Sequence, residues 1–217
     1  MKILPISSII VSLIAAIGES PLVLAVPTQV ALQENVQITQ KQPQKLAQFQ
    51  DDGNSERSQL VQQANNLLNS GDLTGAEKVL RRLIKKYPDD AFGHFQLGNV
   101  LRRQKQPEAA ITAYQEALRL KPKYALAYNA IGVVYATQDR WDDAISQYRK
   151  ALEINPSYGE AMTNLGQALW QVNKKDEAVA SLEKALNIFK TQSRNDRVYQ
   201  IEQMLKQIRA ADNPGVS

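Results

Sequence analysis

The sequence has no cysteine and only one histidine, His94. Without cysteine the chain can form no disulfide and offers no thiol nucleophile or thiolate ligand. A zinc site built from several cysteine and histidine ligands is therefore excluded, and Ser-His-Asp catalysis would depend on His94 alone. We expect His94 to have a packing role, and we predict no metal site, no cofactor and no catalytic centre.

Neither sign of charge is in large excess, and aromatic residues are scarce. The chain carries 26 Lys and Arg against 22 Asp and Glu, a formal net charge of +4, and 6% of its residues are aromatic. This small excess does not indicate nucleic acid as a partner.

The sequence has no Gly-rich phosphate loop, and we expect Asp142 and Asp143 in the first turn of a helix, where the dipole favours negative charge. We predict that the protein is not an enzyme.

The N-terminus has the pattern of a secretory signal peptide. Lys2 precedes a strongly apolar run over residues 3–17, which has signal-peptide length and is short for a membrane span. Residues 1–25 are predicted to be a signal peptide that is cleaved after Ala25. The mature chain is then expected in the periplasm or another extracytoplasmic compartment. An uncleaved anchor is the alternative, and only in that case do we expect contact with a membrane.

Residues 26–56 have the composition of a linker. Residues 26–50 contain eight glutamines and two prolines without a steady hydrophobic period, and a polar, turn-prone cluster follows at residues 51–56. This composition predicts a Gln-rich disordered linker. A short recognition segment around Val36 or residues 46–49 is the alternative.

An internal repeat with a period of about 34 residues occupies most of the remaining chain, and a fixed period of this length is typical of repeat proteins. The recurring small residues and prolines are Gly98, Gly132 and Gly166; Ala110, Ala144 and Ala178; Ala117, Ala151 and Ala185; and Pro88, Pro122 and Pro156. The interval between equivalent positions is the same in every one of these series. It divides the chain into units 57–90, 91–124, 125–158 and 159–192.

Each unit is predicted to contain two helices, because apolar and small residues recur at helical spacing in both of its halves. In the third unit, Gly132 and Ala144 are expected where the two helices cross, since larger side chains would push the axes apart. Tyr148 and Ala151 are expected to pack against the next unit. Pro156 is expected to end the second helix because proline lacks the N–H group and disfavours a helical residue before it.

The pattern resembles the tetratricopeptide repeat, in which Trp-x2-Leu-Gly-x2-Tyr is followed by Ala-x3-Phe, Ala and Pro. The third unit has the same or a similar residue at all eight signature positions, which are Tyr128, Ile131, Gly132, Tyr135, Ala144, Tyr148, Ala151 and Pro156. In the second unit, His94 occupies the first aromatic position. In the fourth, Lys190 replaces the proline, so its second helix is expected to run on. The resemblance implies an all-α fold, a right-handed α-solenoid of four helix-turn-helix repeats.

A further helix is predicted at residues 193–212, followed by a tail at residues 213–217. Ile201, Leu205 and Ile208 form one apolar stripe at helical spacing. We expect this capping helix to cover the face that the fourth unit would otherwise expose.

The resemblance also implies that the first helices of the units line a concave groove in which a partner binds. The candidate partner-binding residues in this register are Asn65, Phe92, Phe95, Asn99, Arg102, Arg103, Asn129, Asn164, Gln167 and Trp170. Amides can bond a peptide backbone in both directions, aromatic rings can take apolar side chains, and the arginine pair can bind a carboxylate. For Phe95 and Trp170, packing between helices is the alternative.

This resemblance implies a non-catalytic scaffold whose ligand is a protein or peptide, and we expect it to assist the assembly of an envelope or membrane complex. The second unit carries six basic and two acidic residues, so we expect an acidic segment of the partner to dock there. A clamp for chaperone C-termini, known in the family, is not expected because Val61 and Phe95 replace its first lysine. The alternative function is an accessory module of a separate enzyme, such as a glycosyltransferase or a peptidase.

Overall fold

The computed structural model describes residues 55–212, with side chains up to residue 211. Over this range the chain forms nine α-helices and no strand, which confirms the predicted all-α solenoid. The helices are α1 (55–70), α2 (Leu73–Lys86), α3 (Ala91–Arg103), α4 (Pro107–Leu120), α5 (Ala125–Ala136), α6 (Trp141–Ile154), α7 (Gly159–Gln171), α8 (Lys175–Thr191) and α9 (Asn195–Asp212).

Three of the predicted segments lie wholly or largely outside the described residues. They are the signal peptide, the linker up to residue 54, and the tail at residues 213–217. Within the part that the structure describes, no helix is both long enough and apolar enough to cross a membrane.

The helices form four consecutive pairs followed by the single helix α9. From α2 onward each helix packs against the next along the chain, and α3 also contacts α5, as α5 contacts α7. Hydrogen bonds from Gln96 and Arg103 of α3 reach Asn65 and Leu68 of α1. The first helices of successive pairs therefore lie side by side, and we call the surface formed by α1, α3, α5 and α7 the inner face.

Helix α1 begins earlier than the sequence predicted. Residues 55 and 56 are helical, although the predicted linker extended to residue 56. The Glu56 carboxylate forms ion pairs with Lys86 and, at 3.6 Å, with Arg82, both of which belong to α2. These contacts hold the start of the described part of α1 against α2, and the turn-prone composition of this segment could not indicate them.

Glycines make room for tyrosine rings where the two helices of a pair cross. A Cβ atom on Gly98 would lie 2.5 Å from the Tyr114 ring, and one on Gly132 would lie 2.5 Å from the Tyr148 ring. The sequence predicted that Tyr148 packs against the next unit. Tyr148 does share a hydrophobic cluster with Leu165 of the next unit, and its ring also lies on Gly132 of its own unit, where the missing Cβ leaves space.

Each first helix ends in a left-handed turn at the same position of the repeat. Gly71, Lys105, Asp139 and Asn173, which are equivalent positions of successive units, have φ angles of 82°, 59°, 57° and 59°. In each turn the N–H of the next residue donates to the carbonyl five positions back, at 2.9 to 3.0 Å. This is the Schellman pattern, which satisfies a carbonyl group that the helix end would otherwise leave without a partner.

The second helix of the fourth pair is longer than the others, as predicted. Helix α8 has 17 residues and continues to Thr191, whereas α2, α4 and α6 have 14 residues each. Lys190 stands where the earlier units have a proline, and it supplies the N–H group that proline lacks. The helix therefore continues past the usual end.

Helix α9 packs on α8 through its apolar stripe. Ile201, Leu205 and Ile208 are buried and share a hydrophobic cluster with Leu182 and Phe189 of α8. The last helix pair thus has its open face covered by α9.

Candidate functional site

The N-terminal half of the inner face carries a chain of hydrogen-bonded amides. Gln96 Nε2 donates to Asn65 Oδ1 at 3.2 Å, and Asn99 Nδ2 donates to Gln96 Oε1 at 2.8 Å. The phenol of Tyr114, from α4, donates to Asn99 Oδ1 at 2.9 Å. The structure therefore brings the predicted site residues Asn65 and Asn99 close together, and bonds within the protein already use part of each amide.

Asn129 and Asn164 form a second amide pair, between α5 and α7. Asn164 Nδ2 donates to Asn129 Oδ1 at 2.9 Å, and Asn129 Nδ2 donates to the Tyr158 hydroxyl at 3.3 Å. An amide offers two N–H groups and an oxygen with two lone pairs. Each of these side chains therefore keeps hydrogen-bonding capacity for a ligand.

Two buried tyrosines stand behind the inner face. Burial raises the pKa of the Tyr148 phenol, and burial also raises the pKa of the Tyr114 phenol against the opposing effect of Arg102. Both phenols therefore stay protonated at neutral pH. Tyr114 accordingly remains a hydrogen-bond donor to Asn99 throughout the physiological pH range.

Of the two phenylalanines in the predicted site, Phe95 packs within the protein. Its ring centroid lies 5.7 Å from that of Tyr114 and 5.0 Å from that of Tyr124, in tilted arrangements that favour aromatic packing. Phe92 lies half-buried in the first turn of α3, where its N–H donates to Asp90 Oδ1 at 3.0 Å. The structure thus favours the packing alternative for Phe95.

The two predicted arginines have different surroundings. Arg103 Nη1 donates to the Leu68 carbonyl at 3.2 Å, so this side chain binds the C-terminal end of α1. Arg102 is exposed and lines a cleft of about 310 Å³ that also contains Lys105. The other residues of this cleft are Pro107, Val134, Thr137 and Gln138. We call it the basic cleft.

A larger pocket, of about 500 Å³, lies toward the C-terminal end of the inner face. It is lined by Val133, Ala136, Thr137, Trp141, Tyr148, Asn164, Gln167, Trp170, Gln171, Leu182, Met204, Gln207 and Ile208. Its volume falls in the range of ligand-binding pockets. We call it the aromatic pocket, and it contains Asn164, Gln167 and Trp170 of the predicted site.

Trp170 packs within the protein and also lines the pocket. The side chain is half-buried against the clusters that contain Leu169 and Leu182, and Lys175 Nζ lies 5.5 Å from its ring centroid. Part of the ring surface still borders the aromatic pocket. The sequence left packing between helices and contact with a ligand as alternatives for Trp170. The structure allows both for this residue.

Sequence reasoning missed Trp141 and the contribution of α9 to the pocket. Trp141 is the first residue of α6, a second helix, whereas the predicted site included only residues of first helices. Met204 belongs to α9, and its Sδ lies 3.5 Å from Gln167 Nε2. The repeat pattern does not specify how α9 packs, so this side of the pocket could not be predicted from it.

The groups on the inner face can bind and orient a ligand. They are amides, aromatic rings, aliphatic surface and the cations of the basic cleft. Among residues 55–211, no three His, Asp or Glu side chains come together where they could hold a metal ion.

Comparison with solved structures shows the same fold. The crystal structure of MamA has a TM-score of 0.54 at 19% identity and covers 69% of this chain and 95% of its own. PilF of Pseudomonas aeruginosa has a TM-score of 0.58 at 20% identity, covering 71% and 77%. The first TPR of Spaghetti (RPAP3), bound to the HSP90 peptide SRMEEVD, has a TM-score of 0.51 at 21% identity, covering 56% and 91%.

At the level of sequence, no curated protein gives a significant match. The family model described as tetratricopeptide repeat matches residues 61–125, 95–159 and 129–194. The starts of these matches are spaced by one repeat period, in the register of the helix pairs, and together the matches span more than half of the chain. The chain therefore belongs to the tetratricopeptide repeat family.

Proposed function

We propose that the chain is an exported, non-catalytic scaffold that binds a peptide or a protein segment on its inner face and assists the assembly of an envelope or membrane complex. The observation that carries the proposal is the aromatic pocket, which combines apolar surface and amides in a fold built of stacked helix pairs. The structure of the first TPR of Spaghetti with a bound peptide supports a ligand of this kind.

The chemistry of the pocket supports binding as its role. Its lining consists of aromatic and aliphatic side chains with four amides and two hydroxyl groups. Apolar surface contributes binding energy through the release of water, and amides fix the orientation of a peptide backbone. The basic cleft beside it supports a partner with an acidic segment.

Export is the second part of the proposal, and it is supported by the sequence of residues 1–25. A chain that leaves the cytoplasm meets its partner among proteins of the envelope. The partner should therefore be found in an envelope extract of the source cell.

Affinity purification of the full chain from such an extract tests the proposal, with mass spectrometry of the retained proteins. A tag at the C-terminus leaves the predicted signal peptide free to be cleaved. The groove variant combines Arg102→Ala, Gln167→Ala and Gln171→Ala, which are exposed positions on the first helices. Because these side chains border the two hollows, the variant should retain at least about tenfold less partner than the wild type, which corresponds to roughly 1.4 kcal/mol.

A matched control removes the same kinds of side chain from the second helices. Lys78→Ala, Gln115→Ala and Asn187→Ala together delete one cation and two amides at exposed positions of α2, α4 and α8. Both variants should keep the helical circular dichroism signal of the wild type. Equal retention of the partner by the groove variant and the control would contradict the assignment to the inner face, and an enzyme as the retained partner would support an accessory role.

A further inference from the structure

The aromatic pocket becomes more polar from its floor to its rim. The buried residues of its lining, which we call the floor, include Tyr148, Leu182 and Ile208. Its half-buried residues include Trp141, Trp170 and Met204, and the exposed residues, which we call the rim, include Gln167, Gln171 and Gln207. The floor and walls favour an apolar side chain, because its burial there removes apolar surface from water. The amides at the rim can donate to and accept from the backbone on either side of that side chain.

The basic cleft lies one repeat before the aromatic pocket and shares three repeat positions with it. Arg102 and Pro107 of the cleft occupy the repeat positions that Ala136 and Trp141 of the pocket occupy in the next unit. Equivalent positions therefore provide a cation in one repeat and apolar surface in the next. A ligand that crosses both repeats meets two different chemistries in a fixed order.

The cations of the basic cleft, Arg102 and Lys105, are exposed and have no acidic partner within the part of the chain that the structure describes. Arg102 also interacts with the Tyr114 phenol. Glu108, which lies one turn after Lys105, accepts a hydrogen bond from Gln138 Nε2 at 2.9 Å. The cleft thus has a positive charge that a carboxylate can neutralise.

The hollows of the inner face lie next to one another. Thr137 lines both the basic cleft and the aromatic pocket. A third hollow, of about 130 Å³, shares Asn164, Gln167 and Met204 with the aromatic pocket. The resulting track crosses α3, α5, α7 and α9, and it suits an extended chain better than a compact molecule.

We infer that the ligand is an extended peptide segment with a bulky apolar side chain, which enters the aromatic pocket, and an acidic side chain, which meets Arg102 and Lys105. Packed helices lie about 8–10 Å apart and an extended chain advances about 3.3 Å per residue, so the two side chains are about three residues apart. The inference rests on the proposed function and specifies what the inner face recognises.

Tryptophan fluorescence provides a direct test. The chain has two tryptophans, Trp141 and Trp170, and both line the aromatic pocket. The full chain is titrated with synthetic peptides of equal length in a Gly and Ser background. The first carries an aspartate pair about three residues from a phenylalanine, and the others replace either the aspartates by asparagines or the phenylalanine by alanine. The first peptide should shift the emission and bind at least about tenfold more tightly than the others.

Charge variants test the role of the basic cleft. Arg102→Ala combined with Lys105→Ala should lower the affinity for the aspartate peptide to that for the asparagine peptide. Lys78→Ala combined with Lys85→Ala removes the same charge from exposed positions on α2 and should leave both affinities unchanged. Raising the salt concentration to about 0.5 M should reduce the preference for aspartate, because exposed charges are screened.

Two results would overturn the inference. One is equal affinity of the wild type for the aspartate and asparagine peptides, and the other is no change in emission with the first peptide at about 1 mM. The co-purification experiment does not depend on these peptides. A partner retained by the wild type and lost by the groove variant would then preserve the proposed function while this inference fails. Retention of no groove-dependent partner would reject the proposed function itself.

Discussion

At the scale of single residues, the crossing of the two helices in a pair depends on two positions that have to match. The third pair combines Gly132 with Tyr148, and a Cβ atom on the glycine would lie 2.5 Å from the ring. The first pair has Ala64 and Leu80 at the equivalent positions, and both are buried. The fourth pair has Gly166 and Leu182, so three combinations occur at these positions, and in none of them does an alanine face a tyrosine.

We predict that Gly132→Ala destabilises the protein by about 1–3 kcal/mol, because the added methyl group has to displace the Tyr148 ring. Tyr148→Leu should also destabilise it, because the smaller side chain loses contacts that the ring makes with Gly132 and Leu165. The double variant recreates the combination of the first pair and should be about 1 kcal/mol more stable than the sum of the single effects. Urea denaturation followed by circular dichroism gives the unfolding free energies of this double-mutant cycle.

Gly71→Ala is the matched control for an added methyl group. A Cβ atom on Gly71 would meet nothing within 4 Å, so only the backbone strain at its φ of 82° should contribute, about 1 kcal/mol. Its effect should add to that of Tyr148→Leu without coupling. Additive effects of Gly132→Ala and Tyr148→Leu would show that the steric explanation of the crossing is wrong.

At the scale of helices and turns, the sequence specifies the two helices of each pair better than it specifies the turn between them. Glycine, alanine and proline could be interpreted from the repeat because few other side chains fit a close crossing or end a helix. The left-handed turn position could not, because Lys105, Asp139 and Asn173 occupy it in three of the four pairs. There, the backbone hydrogen bonds and the packing of both helices impose a conformation that these residues disfavour by themselves.

The candidate site was partly predictable for a related reason. The repeat register indicated that Asn164, Gln167 and Trp170 share a surface of α7, and all three line the aromatic pocket. It could not indicate that Asn129 bonds to Asn164, nor that Met204 of α9 closes the pocket. These contacts depend on side-chain geometry and on the packing of a helix outside the repeat.

The turns supply a prediction about stability. Lys105→Gly should raise the unfolding free energy by about 0.5–1 kcal/mol, because glycine adopts the φ of 59° without strain, although it loses more backbone entropy on folding. Asn173→Gly should gain less, because asparagine tolerates this conformation better than lysine does. Chemical denaturation measures both changes. A larger gain at Asn173, or no gain at either position, would mean that the turn imposes no strain on lysine.

At the scale of the described array, hydrophobic contacts are made mainly between neighbouring helices. The first two pairs and part of α5 share one cluster, α6 and α7 form most of a second, and α8 and α9 form a third. In repeat proteins the stability is approximately a sum over units and the interfaces between neighbours. A defect at the C-terminal end should therefore loosen the nearest pair before it affects the distant ones.

Ile201→Asp tests this expectation. The side chain is 1% exposed, so the variant places a carboxylate against Leu182 and Phe189 of α8. Amides of α8 and α9 should lose hydrogen-exchange protection, by about 2–3 kcal/mol, while those of α3 and α4 change little. Tyr199→Asp adds the same charge to α9 at a side chain that is 64% exposed, and it should leave protection unchanged. Equal loss of protection from α1 to α9 in the Ile201 variant would show that the array unfolds as one unit. Loss of protection confined to α8 and α9 would mean that the packing of α9 stabilises the neighbourhood of the aromatic pocket, whose lining includes Met204, but not the distant helices.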